Sequence, residues 1–173
     1  MNFADHIEQR RREALAQIDK IPIAALIWGP APSAGTPIAN ARVQLREQLT
    51  VRGHLARFSE ELVDPTLPYS IFSQQLAQAK AFDIVFSLPD SPGSIAEIHD
   101  FARIPDLAPK VVGFLNSRWN NGYANQSLMQ IESIATCRIQ PYDDSNLPNC
   151  VVDVAIDMVR RLQEFKFSHG RIF

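Results

Sequence analysis

The residues of this chain best suited to chemistry lie in one short stretch, Asp90-Ser91-Pro92-Gly93-Ser94-Ile95-Ala96-Glu97. It follows the apolar run Ile84–Leu88 and precedes a helical pattern, so it reads as a buried strand's end, a tight turn and a helix start. A helix that opens at the carboxyl end of a strand presents free N–H groups and a favourable dipole to an anion. A carboxylate in its first turn, Glu97, can attack an anomeric carbon or stabilise an oxocarbenium-like centre. Asp90, in the same turn, would complete an acid pair, one member for the leaving group and one for attack. The same residues have a plainer reading. Ser94-x-x-Glu97 has the spacing of a capping box, in which both side chains only start the helix. Asp90 equally suits a solvent-exposed turn.

The loop after the first apolar run, Gly29-Pro30-Ala31-Pro32-Ser33-Ala34-Gly35-Thr36, is a second candidate. Gly29 allows close backbone approach to a ligand. The loop is neither GxGxxG nor a Walker P-loop, and a plain Gly-Pro turn is the alternative. Arg42 interrupts the apolar face of the following helix; it either meets a phosphate or packs its stem on the core. Glu60, Glu61 and Asp64 add a second carboxylate to a cleft or form a solvated acidic loop. Tyr69 and Trp119 stack on a base or pack internally. His6, His54, His99 and His169 are scattered, and His99 points away from Glu97 on a helix, so a histidine triad has little support. Cys137 and Cys150 form neither a CxxC pair nor a zinc set; two reduced thiols and no metal are expected.

These candidates need a frame to bring them together. Apolar runs predict strands at Ile21–Trp28, Leu55–Phe58, Ile84–Leu88, Lys110–Leu115 and Thr136–Gln140. Helical spacing predicts helices at Asn2–Asp19, Ile38–Leu49, Tyr69–Ala81, Ser94–Arg103, Leu128–Ile134 and Asp153–Phe165, with loops at 31–37, 60–68 and 116–126. The alternation implies an α/β fold: an open parallel sheet of about five strands with helices on both faces, Rossmann-like or flavodoxin-like. Ligands bind such sheets beyond the carboxyl ends of the strands, which selects the loops after Trp28, Leu88 and Leu115. Residues 1–20 read as an N-terminal helix with a thin apolar stripe, able to pack on the domain or on a partner. Residues 21–173 read as one domain.

Composition narrows the function classes. The 173 residues are 46% hydrophobic and 21% charged, with formal net charge −2 and a pI near 6.1. A real core is expected, and there is no electrostatic case for broad nucleic-acid or membrane binding. Arg10-Arg11-Arg12 reads as a solvated helix face. The N-terminus is too polar for a signal peptide and no apolar run spans a bilayer, so a soluble, cytoplasmic protein is expected.

Ile23–Pro30 and Asp83–Ile98 resemble the nucleoside 2-deoxyribosyltransferases, which begin with a strand ending in Gly-Pro and later carry an Asp-rich strand end and Gly-[Ser/Thr]-x-x-Glu opening a helix. The resemblance implies that Glu97 is the nucleophile and that Asp90 helps handle the base. The chain is more closely similar to the deoxyribosyltransferase-like effector proteins of bacterial retron defence systems. Their Ser-Pro-Gly-Ser-x-x-Glu-Leu motif is reproduced by Ser91–Ile98 with Ile98 in place of Leu. Arg42 matches an arginine on the helix after Gly-Pro, Lys110 a lysine before the fourth strand, and 116–127 an Asn- and Ser-containing loop. This similarity covers 21–142. It implies an N-glycosidic-bond-cleaving enzyme acting on a nucleoside or nucleotide, by hydrolysis more than transfer, as an antiphage effector. Gly29, Pro30, Arg42, Ser91, Gly93, Ser94, Tyr69 and Asn116 would bind substrate. No cofactor is implied; a homo-oligomer or a defence-system partner protein is, with nucleic acid involved only indirectly. Gln74 and Gln75 stand where relatives often carry a glutamate. That departure keeps two other readings open: a nucleotide-sensing module without turnover, and a structural or antitoxin-like subunit docking through its N-terminal helix. The lysine-decarboxylase-like phosphoribohydrolases are a weaker match, since their Gly-Gly pair is missing.

Overall fold

The computed structural model describes residues 3–119 and 121–170. Asn2, at the start of the predicted first helix, and Asn120, in the predicted 116–126 loop, lie outside the described residues. Five strands form one parallel sheet: β1 (Ala24–Trp28), β2 (Leu55–Phe58), β3 (Ile84–Ser87), β4 (Val111–Asn116) and β5 (Arg138–Tyr142). Their order is β2-β1-β3-β4-β5, the flavodoxin-like order, whose direction reverses between β1 and β3. β3 and β4 are buried along their whole length, as unbroken apolar runs demand. β2 lies at an edge and alternates, with Ala56 and Phe58 inward and Leu55 and Arg57 outward.

Alternate strand residues feed two cores. Ala25, Ile27, Phe58, Phe86 and Phe114 pack against α2 (Pro37–Val51) and α6 (Asn149–His169). Leu26, Trp28, Val85 and Leu115 pack on the other face against α4 (Pro92–Ala102), Ala79 of α3 (Ile71–Ala81) and Leu128 of α5 (Tyr123–Ala135). The sheet is therefore covered on both faces, as expected. α1 (Phe3–Ile18) buries none of its residues, and Phe3 and Leu15 stay 81% and 53% exposed. No described helix is long and apolar enough to cross a membrane.

The amino end of the sheet is tied shut. Lys110 Nζ donates to the carbonyls of Lys80 (3.1 Å) and Phe82 (2.9 Å). Asp83 Oδ2 accepts from Ala24 N (2.8 Å) and Lys166 Nζ (3.1 Å). Gln163 Nε2 donates to the carbonyls of Asp19 (3.3 Å) and Ile21 (2.9 Å). Lys110 thus belongs to the end of the sheet opposite the loops after Trp28, Leu88 and Leu115. Several boundaries shift from expectation. β1 begins only at Ala24, because Ile23 N donates instead to His54 Nδ1 (3.3 Å). α5 starts at Tyr123, inside the predicted loop, and ends at Ala135, capped by Thr136, whose φ of 60° is left-handed; β5 starts two residues later than predicted. α6 is four residues longer at each end than its apolar pattern suggested.

Candidate functional site

The chain leaves β1 at Trp28 and turns at Gly29, whose φ is +150°. A Cβ at Gly29 would lie 3.0 Å from the Leu88 carbonyl oxygen and 3.1 Å from Arg42 Cδ. Only glycine fits both the conformation and the space. The backbone passes between the end of β3 and the side chain of Arg42, which is fully buried on α2. Arg42 Nη1 donates to the Pro30 carbonyl (2.8 Å) and Glu60 Oε1 (2.7 Å); Nη2 donates to the Ile27 carbonyl (2.8 Å) and Glu60 Oε2 (2.6 Å). Its guanidinium lies 4.1 Å from the centre of the Phe58 ring, a cation–π contact. Glu60 sits on a short 3-10 turn, Ser59–Leu62, directly after β2. Burial pushes its carboxyl up, but the Arg42 hydrogen bonds, its own backbone N–H and the charges of Arg42 and Arg46 outweigh this. Glu60 is held below the ordinary glutamate range.

These elements enclose a cleft of about 560 Å³ at the carboxyl end of the sheet. Trp28, Gly29 and Ala31 form its floor; Ser59, Glu60, Val63 and Pro65 come from the segment after β2; Ile71 and Gln75 come from α3, and Glu97 from α4. Burial raises the Glu97 carboxyl above its ordinary value, and the charge of Asp100 adds to the rise. The side chain is still reached by solvent, as a residue on a cleft wall must be. Trp28 is 3% exposed, and its Nε1–H has no hydrogen-bond partner among the described residues. Its ring packs on Phe101, with centroids 4.5 Å apart.

The start of α4 corrects the capping-box reading. Ser91, not Ser94, is the N-cap. Ser91 Oγ accepts from Ser94 N (3.3 Å), and Ser94 Oγ accepts from Ser91 N (3.1 Å). Pro92 occupies the first helical position, where a missing N–H costs nothing. Glu97 falls in the second turn and has no part in the cap. The first-turn position expected for it is wrong by three residues.

Of the residues expected to bind substrate or react, Gly29 and Glu97 line the cleft. Asp90 does not, so the expected Asp90–Glu97 pair is replaced on the cleft walls by Glu60 and Glu97. Asp90 is half-buried, and its charge is the last of several influences on Tyr142 at the end of β5. There burial pushes the phenol up, the Asn116 hydrogen bond opposes it, and the charges of Asp144 and Asp90 add to the rise while Arg118 lowers it. Asn116 is buried and spent: Nδ2 donates to Asp144 Oδ1 (2.8 Å) and Oδ1 accepts from Arg118 N (2.9 Å). Arg42 has no face open to a phosphate; it orients Glu60. Pro30 serves Arg42 through its carbonyl. Tyr69 is 65% exposed ahead of α3 and off the cleft. Ser91 and Ser94 are engaged with each other, and a Cβ on Gly93 would meet only Ser91 Oγ, at 3.9 Å. Trp119 lies off the cleft beneath the Arg118 guanidinium, 5.1 Å from its ring centre.

Trp28, Ser59 and Gln75 were not anticipated. Glu60, Glu61 and Asp64 were open to two readings, a second cleft carboxylate or a solvated acidic loop; Glu60 lines the cleft, and Glu61 and Asp64 do not. Among the described residues no group of three or more His, Cys, Asp or Glu is placed to hold a metal ion. No protein-family model matches this chain, and no curated protein matches it.

Proposed function

We propose that the cleft binds a nucleoside or nucleotide and that the chain cleaves its N-glycosidic bond, by hydrolysis more than transfer. The observation that supports this is a pair of carboxylates on one cleft whose surroundings drive their protonation apart, Glu97 upward and Glu60 downward. Such divergence sorts two carboxylates into different roles: Glu60 stays ionised against Arg42, and Glu97 is the group whose charge the reaction uses. When the bond breaks, its electron pair goes to the base nitrogen, which takes a proton from solvent water, and positive charge develops on the anomeric carbon. Glu97, ionised, attacks that carbon or stabilises its charge, and water completes the hydrolysis to free sugar and free base. Val63, Pro65 and Ile71 give the cleft an apolar wall suited to a planar base. The resemblance of Ser91–Ile98 to retron-associated effectors supplies the biological setting of this reading, antiphage defence in an oligomer or with a defence partner protein.

Incubation with a panel of nucleosides and 5′-nucleotides, followed by chromatography for free base, tests it. Base release is expected, rising with pH through an apparent pKa above that of ordinary glutamate, and falling at least about a hundredfold in Glu97→Gln. Release by Glu97→Gln at the wild-type rate overturns it. Gln75 supports a second reading. It places a neutral amide on the cleft wall, at one of two helix positions where relatives often carry an acid. A binding module without turnover would bind a nucleotide tightly by calorimetry and leave it intact.

A further inference from the structure

We propose that the Arg42–Glu60 pair is the sugar-recognition element of this cleft: Glu60 accepts hydrogen bonds from the cis 2′- and 3′-hydroxyls of a ribose, so the ligand is a ribonucleoside or ribonucleotide and not its 2′-deoxy form. The inference rests on the nucleoside reading above. A carboxylate offers about four acceptor positions. Arg42 takes one on each oxygen, and the side chain remains 50% exposed on the cleft. The two-point pairing fixes the carboxylate plane, as two adjacent hydroxyls require. Burying a whole guanidinium is a poor way to gain stability. Its evident effect here is orientation.

The charge balance selects among donors. Arg42 neutralises Glu60, so the pair has no net attraction for an ammonium or guanidinium and suits uncharged hydroxyls. All four Nη donors of Arg42 are spent inside the protein, and its Nε–H, which has no partner among the described residues, is buried out of reach of a phosphate. The position also fits. In the dinucleotide-binding class of open α/β sheets an acid after the second strand takes ribose hydroxyls, and Glu60 holds the corresponding place here, although the glycine-rich turn of that class is absent. The volume, about 560 Å³, lies within the range of small-molecule sites. Trp28, buried and with its Nε1–H unpartnered, lines the same cleft and can donate to an acceptor elsewhere on the ligand.

The test uses the full chain carrying Glu97→Gln, which keeps ligands intact. Adenosine, guanosine, cytidine and uridine, their 5′-monophosphates and the 2′-deoxy counterpart of each are titrated by calorimetry. At least one ribonucleoside or ribonucleotide is expected to bind ten- to a hundredfold more tightly than its 2′-deoxy form. Adding Glu60→Gln should remove that preference. Glu60→Asp, which keeps a charge for Arg42 but draws the carboxylate back, should remove it too and guards against a misfolded Gln variant. Equal binding of the paired forms, no binding of any ribonucleoside or ribonucleotide at millimolar concentration, or a preference that survives Glu60→Asp overturns the inference. Base release by the otherwise unaltered chain is read separately. Release without a ribose preference sinks the sugar assignment alone; a preference without release sinks the catalytic reading alone.

Discussion

Glu60→Gln should destabilise the fold more than its place on an exposed turn suggests, because the change strands a charge elsewhere. Arg42 has 0% side-chain exposure, and its ion-pair partner is 50% exposed. Removing the partner of a buried charge costs about 3–5 kcal/mol; since water already screens Glu60, the lower end, about 3 kcal/mol, is expected. Arg42→Met in the same chain removes the stranded guanidinium, although it takes donors from the carbonyls of Ile27 and Pro30, at about 1–3 kcal/mol for a buried acceptor. The double variant should therefore cost less than the sum of the singles, with a coupling of about 2 kcal/mol. Urea unfolding of all four proteins at pH 7 measures it. The pH dependence has a definite sign. The Glu60 carboxyl is depressed in the fold, so its contribution is in place above the unfolded glutamate pKa and drains away as pH falls through the folded value. The gap between wild type and Glu60→Gln should narrow over that acid window. Costs that add within about 0.5 kcal/mol, or a gap unchanged at acid pH, would refute the claim that a stranded charge is the cause.

Gly29→Ala forces a Cβ to 3.0 Å from the Leu88 carbonyl at a φ of +150°, and should cost about 2–4 kcal/mol, seen as a fall in melting temperature of about 5–15 °C. Ser91→Ala removes the N-cap of α4 and should cost about 1 kcal/mol in denaturant titration, whereas Glu97→Gln should leave the cap intact. Removing residues 3–17 should shift unfolding stability by no more than about 0.5 kcal/mol, since α1 buries no side chain; a larger loss would mean that α1 supports the domain.

The layout of the sheet was legible because its signal is local. Val85-Phe86 and Val111-Val112 are buried on both faces and announce themselves as unbroken apolar runs. Helix ends were less legible, because they depend on particular capping bonds. Ser94-x-x-Glu97 and Ser91-x-x-Ser94 both have spacings that could cap, and only the hydrogen bonds of Ser91 and Ser94 distinguish them. The site was half legible. Gly29 and Glu97 follow strand ends, where the open-sheet rule looks. Glu60 meets Arg42 across 18 residues, and Gln75 reaches the cleft from a helix on the far side of a loop. Such meetings are set by how elements pack, which no window of sequence reports. Asp90 follows a strand end and Asn116 closes one, but neither faces the cleft; Asn116 pairs with Tyr142 in the sheet and donates to Asp144.

The passage of the backbone over Arg42 at Gly29 has an evolutionary consequence. Gly29 makes room for the arginine stem, Arg42 holds Glu60, and Glu60 is what makes a buried cation tolerable. None of the three can change alone without loss. They come from the ends of two strands and from a helix, yet selection meets them as a single inherited character. Descendants of this chain should keep the trio entire or discard it entire, and a lineage that replaced Glu60 with a neutral residue should have given up Arg42 and regained the freedom to place a side chain at position 29.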